Sequence, residues 1–314
     1  MKHIWLVLIN RSPTGSLCVL YFWIIIDIEL PNIQTIYMGK SIIHYPRLSS
    51  TDLGIFRVGG AGLANCMFVV ARAYIEALKD HGKIINPTWR KLSIGPILRK
   101  ERDKRLYNML FNSIGIHGLA KCYYLIKNKI FKNSIITHSG LKNYFRDLIP
   151  YHDEIINFYD QITRDHTSEI LDNEDFNNVI GVHIRLGDYL PQYRVSLDWF
   201  IKIIKQIKEN PLYNNFLFFI FSDGSDQELQ GLLEIENVER KFYGNAYNDM
   251  RALSRCKMII ASDSTFSAWG AFLGKVPIVF NKCHFNTVFD NPDMEIILGE
   301  NTSIDEHFLK RIVS

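Results

Sequence analysis

Met258-Ile-Ile-Ala-Ser-Asp-Ser-Thr-Phe-Ser-Ala-Trp-Gly-Ala-Phe-Leu-Gly-Lys-Val-Pro-Ile-Val-Phe280 is the stretch from which the fold is read. Met258–Ala261 is an unbroken apolar run of strand length. Ser262–Ser264 reads as a turn, and Thr265–Leu273 as a helix with Gly274 behind it. Val276–Phe280 is a second apolar strand. A strand joined to the next through a helix runs parallel to it, and one apolar on every residue is covered on both faces.

Working outward, the alternation repeats. Val179–Arg185 is a strand. Ser196 can cap a helix running through Glu209. Phe216–Phe221 is a continuous apolar strand broken by Ser222-Asp223-Gly224, with a helix to about Leu233 beyond, and Tyr247–Arg255 is helical. Nearer the N-terminus, Gly54–Val58 is a short strand running into Gly59-Gly60-Ala61-Gly62. A helix follows through Lys79, with Leu63, Met67, Val70, Ala71, Tyr74 and Leu78 at helical spacing. Lys83–Asn86 is a strand that Pro87 ends. Ile97–Ser113 is expected to be helical, with Leu106, Met109 and Leu110 on one face. Leu119, Cys122, Tyr123, Ile126 and Ile130 form a second helical stripe, and both stripes are expected to pack in the core. Asp153–Leu171 reads as a helix and Asp172–Asn178 as an acidic linker. The fold class is α/β, with two Rossmann-like domains whose parallel sheets face a cleft.

The 314 residues carry 36 Lys+Arg against 33 Asp+Glu, a net charge of +3, with 47% apolar and 22% charged residues. These values exclude a disordered or collagen-like chain and give no ground for nucleic-acid binding. The even balance hides an asymmetry. Lys79–Arg146 holds 15 basic residues against three acidic ones, whereas 147–177 holds nine acidic residues and Arg164 alone as a base. Two readings stay open: a pair of solvated faces, or a basic surface that meets anionic lipid or phosphorylated acceptors. Five cysteines without a C-x-x-C pair speak against a disulfide framework or a cysteine zinc site and for a reducing compartment. The apolar runs Ile4–Ile9 and Leu17–Ile26 are too short for a spanning helix. They read as an interfacial hairpin, a weak anchor or a buried strand. A fourth reading, that translation begins at Met38, is preferred because the recognisable domain starts near Gly54.

In open α/β sheets ligands bind at the carboxyl ends of strands. Three loops lie there. In His183-Ile-Arg-Leu-Gly-Asp-Tyr189, alternation places His183 and Arg185 on one side, and a guanidinium can grip phosphate with two parallel bonds. Ser222-Asp223-Gly224-Ser225-Asp226 is the second. The third, Ser262-Asp263-Ser264-Thr265-Phe266-Ser267, sets hydroxyls at a helix start, where free N–H groups attract anions. Gly60-x-Gly62-x-x-Asn65 nearly matches a dinucleotide fingerprint, but Asn65 replaces the third glycine and no acid ends the next strand, so an NAD enzyme is disfavoured. Asn65 instead offers an amide at a helix start. No D-x-D metal–diphosphate bridge, H-E-x-x-H, Walker loop or nucleophile elbow is present.

These residues carry a resemblance. Gly59-Gly-Ala-Gly-Leu-Ala-Asn-Cys-Met-Phe68 resembles the G-G-x-G-N-Q-M-F opening of bacterial α-1,2-fucosyltransferases of glycosyltransferase family 11. His183–Tyr189 resembles their H-x-R-R-x-D motif, Ser222–Asp226 their second motif, and Asn248–Ala271 their third in order and spacing. The likeness spans Gly54 to Phe280. It implies a GT-B-like fold and transfer of fucose from GDP-fucose, with inversion and no metal or other cofactor, to a surface glycan or its lipid-linked precursor, such as an O-antigen, at O2 of galactose. Residues 1–53 are then an N-terminal extension, 54–172 the acceptor-side domain and 173–314 the nucleotide-sugar domain. Carried over by position, Arg185 grips the diphosphate. His183, Asp223, Ser262, Ser264, Thr265 and Phe266 lie on the nucleotide side, and Asn65 with Gly60 and Gly62 faces donor and acceptor. Asp188 and His183 are the candidate general bases. Leu186 stands where a second Arg is usual and Cys66 where Gln is usual. The first departure leaves open weaker donor binding, a changed donor or a catalytically silent binder. A cytoplasmic location peripheral to the inner membrane, with anionic lipid as a possible partner, is the expectation.

Overall fold

The structure is a computed structural model that describes residues 6–11, 17–22, 41–92, 107–131, 134–164, 169–187, 191–300 and 303–310. The chain divides into two units, Met1–Lys40 and Ser41–Ser314. In the first, β1 (Leu6–Arg11) pairs antiparallel with β2 (Leu17–Phe22). Among the described residues no helix is long and apolar enough to cross a membrane.

The second unit begins with β3 (Ile43–Pro46), followed by β4 (Arg57–Val58), α1 (Leu63–Lys79), β5 (Lys83–Ile84) and β6 (Lys91–Leu92). After these come α2 (Gly118–Ile130), β7 (Ile136–His138) and α3 (His152–Ile162). β5-β3-β7 is a parallel sheet, and β4 pairs parallel with β6. α1 lies on β3 with its long apolar face, Met67, Phe68, Val70 and Ala71 being fully buried.

The C-terminal half runs β8 (Val179–Ile184), α4 (Leu197–Glu209), β9 (Leu217–Ser222), α5 (Gln230–Leu233), β10 (Val238–Arg240), α6 (Ala246–Leu253), β11 (Met258–Ala261), α7 (Thr265–Gly274), β12 (Ile278–Phe280), β13 (Glu295–Ile297) and α8 (Glu306–Lys310). All six strands are parallel in the order β10-β9-β8-β11-β12-β13, the doubly wound arrangement. β8, β11 and β12 are buried at every residue, as unbroken apolar runs require. Ser196 caps α4 as expected, its Oγ accepting from the Asp198 N–H at 3.2 Å.

The α/β class and the parallel sheets are as read from the sequence. Several details differ. β3 belongs to the second unit, although the sequence left Ile43–Pro46 in the extension. Only residues 107–113 of the expected helix over 97–113 are described. They form one 3-10 turn, Tyr107–Met109, and then a bridge from Phe111 to Thr163. That bridge also explains why α3 stops at Ile162 instead of reaching Leu171, because Thr163 turns extended to meet Phe111. The α2 stripe does not pack in the core. Leu119 is 90% exposed, and Tyr123, Ile126 and Ile130 are also out, whereas Lys121 is buried. The two halves share one core that runs from Phe68 and Val70 on α1 through Phe145 to Trp269 and Phe272 on α7.

Candidate active site

The chain leaves β8 at the middle of the six-stranded sheet, fills one side through β9 and β10, then returns to fill the other from β11. The carboxyl ends of β8 and β11 therefore flank the switch point, where such sheets hold ligands. Arg185 follows β8 and Ser262 follows β11, and they are joined, the Arg185 N–H donating to Ser262 Oγ at 3.0 Å. Asp223, just past β9, organises the same corner. Its Oδ1 accepts from the N–H groups of Leu186 (2.8 Å) and Gly187 (3.0 Å), and its Oδ2 lies 2.7 Å from Arg185 Nη1. Burial alone would raise the Asp223 pKa. Arg185 and then the two N–H groups outweigh it and hold the carboxyl below its ordinary range. Gly187 permits the approach, since a Cβ there would sit 2.7 Å from Asp223 Oδ2.

Ser264 caps α7, its Oγ accepting from the Phe266 N–H at 3.3 Å, and Thr265 in the first turn donates from Oγ1 to Asn65 Oδ1 at 2.8 Å. Asn65 lies in the first turn of α1. The structure thus brings together two of the residues singled out in the sequence, 200 positions apart, and with them the positive ends of two helix dipoles. Neither first turn holds an acidic residue, and Gly62 offers α1 no side-chain cap.

The Gly-rich loop is shaped by a residue the sequence analysis passed over. Arg57 is fully buried and donates to the carbonyls of Gly59 (2.9 Å) and Ala61 (3.4 Å), while Lys91 Nζ donates to Gly60 O at 3.0 Å. The loop carbonyls are therefore drawn toward cations. Gly60 has φ +86°, and a Cβ on it would lie 2.6 Å from Ser49 Cβ and 2.8 Å from Arg57 Nη1, so only glycine fits. Gly62 has ordinary extended backbone and open space where a Cβ would be. An arginine two residues before a run of glycines was the available signal.

His183 is buried, its ring 4.9 Å from that of Phe266, with Nδ1 lacking any partner. Burial first, then the Arg185 charge, push its pKa down to about 3 against the opposing pull of Asp223. It is neutral at pH 7 and a poor proton acceptor. Asp188, the other base candidate, lies outside the described residues. A pair not anticipated stands on the same rim: Asp263 Oδ1 accepts from His284 N–H at 2.9 Å and lies 2.6 Å from His284 Nδ1. A carboxylate on Nδ1 fixes the tautomer with Nε2 as acceptor, and the His284 side chain is 44% exposed. Among the described residues, no group of His, Cys, Asp and Glu is arranged to hold a metal ion.

The model of the family described as glycosyl transferase family 11 matches residues 83–288. An α-1,2-colitosyltransferase from Escherichia coli is 33% identical over 107 residues, which is 31% of this chain. The match reaches little more than a third of that protein's length, 36%. Among solved structures, the fucosyltransferase NodZ from Bradyrhizobium superposes with a TM-score of 0.50 at 15% identity, over 78% of this chain and 96% of that one. A glycosyl transferase family 9 structure from Veillonella parvula gives a TM-score of 0.41 at 15% identity, over 88% and 92% of the two chains.

Proposed function

Because the chain belongs to glycosyl transferase family 11, we propose that it moves L-fucose from GDP-fucose, with inversion at the anomeric carbon, to O2 of a galactose. The acceptor is a surface glycan of the O-antigen kind or its lipid-linked precursor, met at the cytoplasmic face of the inner membrane. The observation that carries this reading is the convergence of Arg185, held by Asp223, with the starts of α1 and α7 joined through Asn65 and Thr265. That corner suits a diphosphate. The linkage is supported by the name of one relative, an α-1,2-colitosyltransferase, and the sugar by that of the fucosyltransferase NodZ, itself an α-1,6 enzyme.

As the bond from the sugar's anomeric carbon to the diphosphate breaks, negative charge grows on the departing oxygen. Donors already fixed around that oxygen stabilise the transition state more than the ground state. The acceptor hydroxyl attacks from the opposite face and gives up its proton. His284, oriented by Asp263, is the described residue best fitted to take it, and His183 instead positions the strand end beside Phe266. Arg185 and the two helix starts supply the positive charge that a metal ion supplies elsewhere, so turnover should survive excess EDTA. Abolition by EDTA with recovery on Mn²⁺ would overturn that part of the proposal.

A catalytically silent binder was suggested by Leu186, but its side chain is a core residue 5% exposed and packs over Gly224, so Arg185 remains in place without it. The test is a thermal-shift panel of GDP, GDP-fucose, GDP-mannose and GDP-colitose, whose sugar is fucose without its 3-hydroxyl, followed by GDP release. A ligand that binds the folded state raises Tm. GDP-fucose should do so and be slowly hydrolysed. A flat panel would reject the donor, and a response to GDP-colitose alone would change it.

A further inference from the structure

Beside the Gly-rich loop lies a cavity of about 460 Å³, within the range of small-molecule sites, about 300–1,000 Å³. Asn86, Pro87 and Thr88, which follow β5, line one side of it. Trp89 and Arg90 line it just ahead of β6, and β6 is laid against β4, which runs into Gly59. The Arg57 N–H donates to Arg90 O at 2.9 Å, so the cavity and the loop share a wall.

Its lining is one-sided in charge. Arg90, Lys121 and Arg164 face it, and among the described residues no Asp or Glu does. Among the described residues none of the three has a carboxylate within 4.0 Å. Lys121 is only 5% exposed, and its Nζ donates to Asn86 O (2.7 Å) and Thr88 Oγ1 (2.9 Å), which leaves one of its three N–H groups over. Burial lowers its pKa to about 8. A buried cation is costly, the Asp52 charge beyond 4.0 Å offsets that cost only in part, and an anion seated beside Lys121 relieves it further. The start of α2 adds to the field. Gly118 and Leu119 line the cavity, and neither a side-chain cap nor an acidic first-turn residue answers the helix N–H groups. Trp89 and the amides of Asn108 and Asn112 give the mixed apolar and hydrogen-bonding wall that a sugar ring matches.

We propose that this cavity is an acceptor subsite and that it takes a sugar unit bearing an oxyanion, either a carboxylate or a phosphate. The assignment to the acceptor rests on the glycosyl-transfer reading above, and the preference for an anion rests on the cavity itself.

The test titrates the full chain, with and without saturating GDP, with methyl β-galactoside, methyl galacturonate glycoside in its free-acid form, and galactose 1-phosphate. The anionic sugars should bind at least tenfold more tightly than the neutral one, and whichever anion leads names the source. Arg90→Gln, at an exposed position, and Arg90→Gln/Arg164→Gln should remove most of that preference while GDP affinity stays. Arg185→Ala should leave it intact. Equal binding of the three sugars overturns the proposal. So does a preference that survives Arg90→Gln/Arg164→Gln, or one abolished by Arg185→Ala or by GDP, because it then belongs to the donor site. Anion preference with these responses in a protein that binds neither GDP nor GDP-fucose sinks the donor reading and leaves the subsite standing.

Discussion

Arg185 acts through what holds it. Asp223 takes one side of the guanidinium and the N–H groups of Leu186 and Gly187 at once, so the strand end and its cation are a single hydrogen-bonded corner. Arg185→Ala should lower kcat/KM by about 2–4 kcal/mol, the scale of a lost charge-assisted contact to a developing anion. Arg185→Lys should recover part of it, since the charge returns without the fork. Turnover near that of the unmodified protein, with the fold intact, would remove Arg185 from the site. Leu186→Arg goes the other way. Position 186 points into the core, so the new cation is buried without a partner and should cost about 3–5 kcal/mol of stability. A lower Tm with unchanged GDP affinity in the folded fraction is the expected result, and tighter GDP binding at unchanged Tm would contradict it. Side-chain alternation along β8 made the sidedness of His183 and Arg185 readable from the sequence. It could not show that burial strips His183 of its basicity, nor that Arg57 lies beneath the glycines, because both depend on packing partners distant in the chain.

At the level of elements, strands were legible wherever an apolar run was unbroken, as in β8, β9 and β11. β3 was missed because Ile43–Pro46 is four residues long and follows a longer apolar region that drew the reading away from it. α2 was read correctly as a helix and wrongly as to its face. Periodicity locates an apolar stripe but does not say which side the rest of the fold covers. Here Lys121 is drawn in by Asn86 O and Thr88, which leaves Tyr123, Ile126, Ile130 and the following Phe131 outside, with Lys127 over the Tyr123 ring at 5.8 Å and Lys129 exposed. An apolar strip edged by lysines matches an anionic bilayer surface, at about 1 kcal/mol per basic residue near the headgroups plus the apolar insertion. The protein should therefore co-sediment more with vesicles containing anionic lipid than with neutral ones, and less as salt rises. Tyr123→Ser/Ile126→Ser/Ile130→Ser should weaken this without lowering Tm. Equal sedimentation on both vesicle types would reject the membrane face.

On the scale of the whole molecule, part of the acidic stretch is paired with the C-terminal half. Four acids of the 147–177 stretch reach bases of the C-terminal half: Asp153 to Lys275, Asp160 to Arg251, Asp172 to Arg255 and Glu174 to Lys241, at 2.9–3.1 Å. These four lie along a seam between the two halves, with Asp153 and Asp172 still 75% and 62% exposed, so the acidic face is solvated and also paired. Each such pair contributes little alone, so the seam orients the halves while their common aromatic core stabilises them. The same joint construction makes the molecule sensitive to acid. His183 lies in the C-terminal sheet. His138 lies in the N-terminal one, its Nε2 2.9 Å from His44 Nδ1, and His152 bonds Phe272 O across the two halves. Burial is the chief cause in each case, and it lowers His183 to about 3, His138 to about 4 and His152 below its usual value. Between the ordinary histidine value near 6.5 and these folded values, the unfolded chain takes up protons that the folded chain refuses. The stability they contribute is therefore whole above pH 6.5 and is lost as pH falls toward 3–4, at up to about 1.4 kcal/mol per pH unit for the fully buried His183. The Asp223 carboxyl, held below its ordinary range, adds its loss only at lower pH still. Urea midpoints should accordingly be lower at pH 5 than at pH 7.5, and His183→Gln should narrow the gap by removing one of the three groups. A midpoint that is flat or rising toward pH 5 would show that these histidines are not held neutral by the fold.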